Sequence, residues 1–280
     1  MTFEEIRKYQ IAQLELIRLI DDLCSKLNLT YYVIGGTLLG AVRHGGFIPW
    51  DPDIDIAMPR PDYEKLREYF AEIESDRYFY QHYSTEKNHL FPHALVKIKN
   101  SYVEIDSRIT KYIPVHNGIY LDIFPLDNAP ESKKKQTRQM KKIKQIEHLI
   151  DLKAEYRYRD TGMPKLIMKK LIGLLLLPVS FRTLNRRLDA AMRKYNDPSA
   201  TTLVSMASHY SYWKQLMPKE IYGTPEKIIF EGETVCAPAN TVDYLTRIYG
   251  DYMKLPPEDQ RNSVLDKFVS VEYDNSGEKK

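Results

Sequence analysis

The tightest constraint on this chain is the stretch Tyr31–Met58, YYVIGGTLLGAVRHGGFIPWDPDIDIAM. A short apolar run meets a Gly-Gly turn there, and a later apolar run alternates with carboxylates. The spacing predicts a strand over 31–35, a helix near 37–43, a loop, and a second strand over 53–58. Side chains alternate along a strand, so Asp53 and Asp55 share one face while Ile54 and Ile56 point into a core. Two acids ~7 Å apart on one strand repel each other unless a cation lies between them. Hard oxygen ligands suit Mg²⁺ or Mn²⁺, particularly when substrate phosphates complete the coordination shell. The pattern points to metal-dependent chemistry on a phosphate compound.

The remaining periodicities frame that segment. Thr2-Phe3-Glu4-Glu5 has the form of a capping box, and Ile6, Leu14, Ile17, Ile20, Leu23 and Leu27 follow at helical spacing, predicting a helix over 3–27. A helix over 62–73 and strands over 77–83, 93–100, 102–108 and 118–124 come next, the last closed by Pro125. A long basic helix is expected over 131–160 and another over 182–195. Asn240 and Gly250 bracket a helix near the C-terminus. The expected architecture is α+β: a mixed sheet with an N-terminal helix, a helical insertion and a C-terminal helical region. It divides into a core at 1–130, a basic and amphipathic helical insertion at 131–200, and a C-terminal segment at 201–280 packed on the core.

Composition narrows the class. The chain has 280 residues, 43% hydrophobic and 28% charged, enough to bury a proper core. Cys24 and Cys236 are its two cysteines and have no partners at metal-ligand spacing, which excludes a zinc ribbon and argues against a disulfide framework. The opening MTFEEIRKYQ lacks the layout of a signal peptide, so a cytoplasmic location is expected. Residues 132–146 hold seven Lys/Arg and no acid, more than twice the chain's net charge of +3. A basic segment on an acidic body suits an anionic surface, and no aromatic-basic clustering of a nucleic-acid module is present. The run LIMKKLIGLLLLPVSF (166–181) is too short and interrupted to cross a bilayer, which needs roughly 20 apolar residues. Together with the basic helix it is either a peripheral platform at the inner face of the membrane or a solvated helix beside a buried one.

Several other residues qualify for the site. Gly35, Gly36 and Thr37, before a helix, would let backbone N–H groups and a hydroxyl approach a phosphate. Asp122, in the apolar strand ILE-TYR-LEU-ASP written IYLD, is the expected third acid, because an unpaired charge there would be costly. Asp127 reads as a turn cap, and Asp51 as an outer-sphere or alternative ligand. Arg43 and His44 either reach a pyrophosphate or acceptor or simply end a surface helix. Lys97 either neutralises phosphate charge or snorkels at the surface.

These motifs resemble those of the LicD family of bacterial phosphocholine transferases. GGTLLGAVRHGGFIPWDPDIDIAMPRPDY resembles its first block, GIYLDIFPLD (118–127) its second and YLTRIYGDYMKLPPEDQR (244–261) its third. Fukutin and fukutin-related protein are similar around the acidic pair. The resemblance implies a nucleotidyltransferase-like fold in which Asp53, Asp55 and Asp122 hold the metal and Gly35, Gly36 and Thr37 form the phosphate turn. It implies transfer of phosphocholine from CDP-choline to a glycan or lipid-linked glycan hydroxyl, in teichoic acid, lipopolysaccharide or capsule-type precursors. Two departures are present: Pro52 stands where the family usually has Asp, and a His common soon after the last block is absent after Arg261. If the alcohol is choline, Trp50, Tyr120 and Phe124 are the aromatics nearest the site in sequence. Other CDP-alcohols (glycerol, ribitol, ethanolamine), a D-x-D glycosyltransferase and a non-catalytic membrane adaptor are the alternatives.

Overall fold

The computed structural model describes residues 3–105, 114–158, 174–258, 261 and 268–273. The apolar run over 166–173, the ends of the basic helix at 159–160 and of the strand at 106–108, and Thr2 of the capping box lie outside the described residues.

Helix α1 (Phe3–Leu27) lies along the sheet and buries Ile6, Leu14, Ile17, Ile20 and Leu23, as their spacing predicts. Strand β1 (Tyr32–Val33) leads to α2 (Gly35–His44), β2 (Asp55–Pro59) and α3 (Arg60–Glu72). Strands β3 (Tyr78–Gln81), β4 (Ala94–Ile98), β5 (Ser101–Ile105) and β6 (Tyr120–Asn128) follow. The sheet runs β1-β2-β6-β4-β3 and is mixed: β2 and β6 are parallel and the other pairings along this path are antiparallel. The chain therefore has the α+β architecture expected of it. Ile54, Ile56, Leu121 and Ile123 are fully buried in the principal core.

Two local expectations change. Strand β6 does not stop at Pro125; it pairs with β2 as far as Leu126. Pro125 falls between the last β4 pair, at Ile123, and the first pair with β7 (Thr202–Val204), at Asp127, so its missing N–H interrupts neither ladder. Asp127 is no turn cap either. It is fully buried within β6 and accepts both Arg60 Nε (2.7 Å) and Nη2 (2.6 Å).

Helix α4 (Lys133–Tyr158) turns Ile143, Ile146, Ile150 and Ala154 onto a second apolar cluster. That cluster is shared with Phe181, Leu184, Leu188 and Met192 of α5 (Phe181–Met192). All seven Lys/Arg of 132–146 face solvent. After β7, the chain forms α6 (Tyr212–Gln215), β8 (Met217–Pro218), α7 (Lys219–Tyr222) and a hairpin of β9 (Glu226–Phe230) and β10 (Glu233–Ala237). Helix α8 (Thr241–Tyr249) is capped at Asn240, whose side chain accepts from Asp243 N, and ends at Gly250, φ +70°. Strand β11 (Phe268–Tyr273) pairs with β5.

Candidate active site

The parallel register of β2 and β6 decides the site. Asp55 stands opposite Asp122, and Ile56 opposite Ile123. Cross-strand partners put their side chains on the same face, so one acid from each strand meets across the ladder. Asp53 and Asp51 approach from the loop before β2, and all four line a cavity of about 960 Å³. The cavity opens against the start of α2, where Gly35 and Gly36 form the first turn of the helix rather than a loop before it.

The glycines are there because the acids come so close. Gly35 sits at φ +56°, and a Cβ on it would lie 3.2 Å from Asp55 Oδ2. A Cβ on Gly36 would collide with Asp51 Oδ2. The same bareness turns the positive end of α2 toward the cavity, where Gly35 N–H donates to the Tyr244 hydroxyl (3.3 Å). Thr37 is buried behind them; its hydroxyl accepts from Asp55 N (2.8 Å) and donates to Asp53 O (3.4 Å). It ties the acid loop to the helix.

The charge in this cavity is poorly compensated. Burial, then the neighbouring Asp122, Asp53 and Asp51, push the Asp55 carboxyl well above its ordinary range. Burial lifts Asp51 to about 6, partly offset by the hydrogen bond it accepts from Asp53 N–H. Donor type and charge therefore suit a hard divalent cation. Among the described residues, no three His, Cys, Asp or Glu side chains stand at metal-ligating spacing as placed. An ion would be shared between acids of this set and the phosphate oxygens of a substrate.

The other predicted residues separate. Arg43 lines the cavity and donates from Nη1 to Tyr252 O (2.8 Å). Its neighbour His44 is exposed, packing edge-on to Trp50. Lys97 is neither a surface lysine nor a lining residue: it is buried, donates to His116 O, and lies 5.5 Å from the Tyr120 ring centroid. Burial draws its pKa down to about 8, against the pull of Asp122.

Three contributions escape a reading by motif. From α1, Gln13 donates to Pro52 O and accepts from Ile54 N (3.1 Å), while Gln10 donates to Asp51 O (3.1 Å). Two glutamines one turn apart, buried within an apolar helix face, were the available signal. His93 Nε2 lies 2.8 Å from Asp122 Oδ1 and its ring stacks on Phe124. Tyr210, Tyr244, Tyr249 and Tyr252 close the cavity from the C-terminal region. Replacing Gln13 by Leu strands two buried backbone groups, at ~1–3 kcal/mol each, and releases the acid loop. A fall in turnover of at least ~10-fold is expected, since small misplacements are costly at a reacting centre. CMP release and the denaturation midpoint of the variant check this.

A family model described as LicD/FKTN/FKRP, nucleotidyltransferase domain, matches residues 28–151. The lipopolysaccharide cholinephosphotransferase LicD of Haemophilus influenzae is 30% identical over 264 residues, covering 91% of this chain and 94% of the relative. The chain belongs to the LicD family. It is an enzyme of the phosphotransferase type. The ribitol 5-phosphate transferase FKRP of human and mouse is also similar, 41% identical over 44 residues, which is 16% of this chain and 9% of that protein. Asp51, Asp53, Asp55 and Asp122 of this LicD-family chain, with Gly35 and Gly36, fall inside the matched domain, whereas the four tyrosines and a fifth lining acid, Asp251, fall outside it.

Proposed function

We propose that this chain transfers phosphocholine from CDP-choline to a sugar hydroxyl of a cell-surface glycan, of the lipopolysaccharide kind, releasing CMP. The observation that carries this reading is the register pair Asp55–Asp122 facing the helix start at Gly35-Gly36. Similarity to a cholinephosphotransferase over nearly the whole chain supports the choice of alcohol.

A divalent cation, Mg²⁺ or Mn²⁺, would be held by carboxylates drawn from Asp53, Asp55 and Asp122, and when bound it would supply positive charge against the donor diphosphate. The chain's own groups do the rest. The positive N-terminus of α2 and the Arg43 guanidinium orient the phosphates. The acceptor oxygen attacks the phosphorus that bears choline. A new P–O bond forms to the sugar, the P–O bond to CMP breaks, and the hydroxyl proton passes to a carboxylate of the set. Asp122 is oriented for this by His93, whose Nε2 lies 2.8 Å from its Oδ1.

The acceptor is proposed to be lipid-linked and met at an anionic membrane surface. No helix among the described residues is long and apolar enough to cross a membrane. The seven exposed bases of α4, and Leu174, Leu175 and Leu177 with half or more of their surface bare or nearly so, support a peripheral contact.

The test is a donor screen: CMP release from CDP-choline, CDP-ethanolamine, CDP-glycerol and CDP-ribitol, with lipopolysaccharide acceptor, with and without Mg²⁺ or Mn²⁺. CMP release from CDP-choline that EDTA abolishes is the expected result. Turnover of a sugar nucleotide in place of every CDP-alcohol would overturn the reading.

A further inference from the structure

The cavity has two unlike ends. One is the acid cluster and helix start, drawn from the matched domain at 28–151. The other is aromatic and comes from residues 208–257, outside that domain. Similarity to the ribitol transferase spans only 44 residues, whereas similarity to the cholinephosphotransferase spans 91% of the chain and necessarily takes in most of 208–257. The family model that takes in both LicD and FKRP covers the acid cluster and the helix start but stops at residue 151. What distinguishes a cationic alcohol from a neutral polyol should lie at the aromatic end.

The aromatics nearest the acids in sequence are already engaged. The Arg261 guanidinium lies 5.3 Å from the Trp50 centroid, and His93 stacks on Phe124 with centroids 4.3 Å apart. Tyr120 is spent on Asp53, its hydroxyl 3.5 Å from Oδ1, and on Tyr9. Two rings at the far end pair with one another, and the cation met there is a lysine ammonium that a ligand can displace. Tyr210, between β7 and α6, and Tyr249, the last residue of α8, stand at 89° with centroids 6.1 Å apart, and both line the cavity. The pair is edge-to-face, and the face of each ring carries the negative quadrupole that attracts a cation. The corner already attracts cations: the Lys214 ammonium lies 4.8 Å from the Tyr210 centroid. The cavity wall carries five aspartates against Arg43 and Lys254, so the surrounding field also favours positive charge.

We infer that Tyr210 and Tyr249 form the recognition corner for a quaternary ammonium group and so set the specificity for a choline-type alcohol over a neutral one. The Tyr249 hydroxyl borders the acid cluster: a Cβ on Gly35 would lie 3.9 Å from it and 3.2 Å from Asp55 Oδ2, so a phosphate at the acids and an ammonium at the rings belong to one small ligand. This inference rests on the transferase reading and deepens it.

The experiment is calorimetric titration of the whole chain with three probes: phosphocholine, glycerol 3-phosphate and CMP. Wild type should bind phosphocholine at least ~10-fold more tightly than glycerol 3-phosphate, and Tyr210→Leu and Tyr249→Leu should each lose about that factor for phosphocholine alone, ~1.4 kcal/mol, within the range of a desolvated cation–π contact. Tyr210→Phe and Tyr249→Phe keep the ring faces and should stay within ~3-fold of wild type. Leu variants that bind phosphocholine like wild type, or lose CMP in equal measure, overturn the inference. CMP binding with no preference for phosphocholine sinks the corner alone. A chain that neither binds CMP nor releases it from any CDP-alcohol sinks the transferase reading, and the corner with it.

Discussion

Replacing Asp55 by Asn should lower turnover by ~10²–10³-fold, the loss typical of removing one preorganised electrostatic group, while raising the melting temperature of the metal-free chain. Both effects come from one cause. Asp55 is pushed far above the ordinary carboxyl range by burial and then by Asp122, Asp53 and Asp51. A raised folded-state pKa means the unfolded chain gives up this proton more readily. Stability is therefore fully present below the ordinary aspartate range and declines as pH rises toward the folded value. Asn keeps the shape and removes the repulsion, so the variant escapes that penalty at neutral pH. The same carboxylate is the one whose register partner is Asp122 and whose oxygen faces Gly35. Its loss should also abolish the rise in melting temperature expected of the wild type with Mn²⁺, the linkage effect of a cation that binds only the folded chain. Calorimetry with and without Mn²⁺, alongside CMP release, reads all three. Near-normal turnover would remove Asp55 from the chemistry.

The acid cluster was legible because its signal is local. Alternating Ile and Asp over 53–56 and a lone acid in IYLDIF can be read within a few residues. Asp55 and Asp122 fall on strands that pair as needed, whereas Asp53, expected on the same strand as Asp55, lies in the loop before it. Thr37 was legible as a member of the motif, yet its bonds to Asp53 O and Asp55 N depend on how α2 folds back against β2. Gln10 and Gln13 are polar residues in an apolar stripe, and a helix pattern alone does not say which loop will meet them. The aromatic wall is more remote still. Tyr210 and Tyr249 are separated from Asp55 by more than 150 residues of chain, and nothing in their own surroundings points to a cavity. His93 illustrates the same limit: in the sequence it is one histidine among seven, and only the pairing of Leu95 with Asp122 brings it beside that acid. Short-range chemistry is written in pattern, whereas its support is written in topology.

That support has a weak point where Arg60 meets Asp127. The guanidinium is almost wholly buried at the start of α3; besides its two bonds to Asp127 it donates from Nη1 to Asp189 Oδ1 (2.9 Å) on α5. Asn196 Nδ2 donates to Asp127 Oδ1 at 3.0 Å, drawing the chain after α5 into the same network. Exposed ion pairs contribute little, but removing one partner of a buried pair leaves an uncompensated charge in a low dielectric, at ~3–5 kcal/mol. Arg60 keeps Asp189 and Glu64 as partners, so Asp127→Ala should destabilise the chain by the lower end of that range, about 3 kcal/mol, read as a lowered denaturation midpoint. Asp127→Asn should cost nearly as much, because it keeps the volume and loses the charge. Exposed pairs such as Lys8–Glu4 serve as the control, with an expected change under ~1 kcal/mol on Glu4→Ala. Arg60 follows Pro59, which pairs with Leu126, so the network pins the far end of the β2–β6 ladder that sets Asp55 against Asp122. If Asp127→Ala were as stable as the Glu4 control, that ladder would need no clamp, and the register of the two acids would rest on the strands alone.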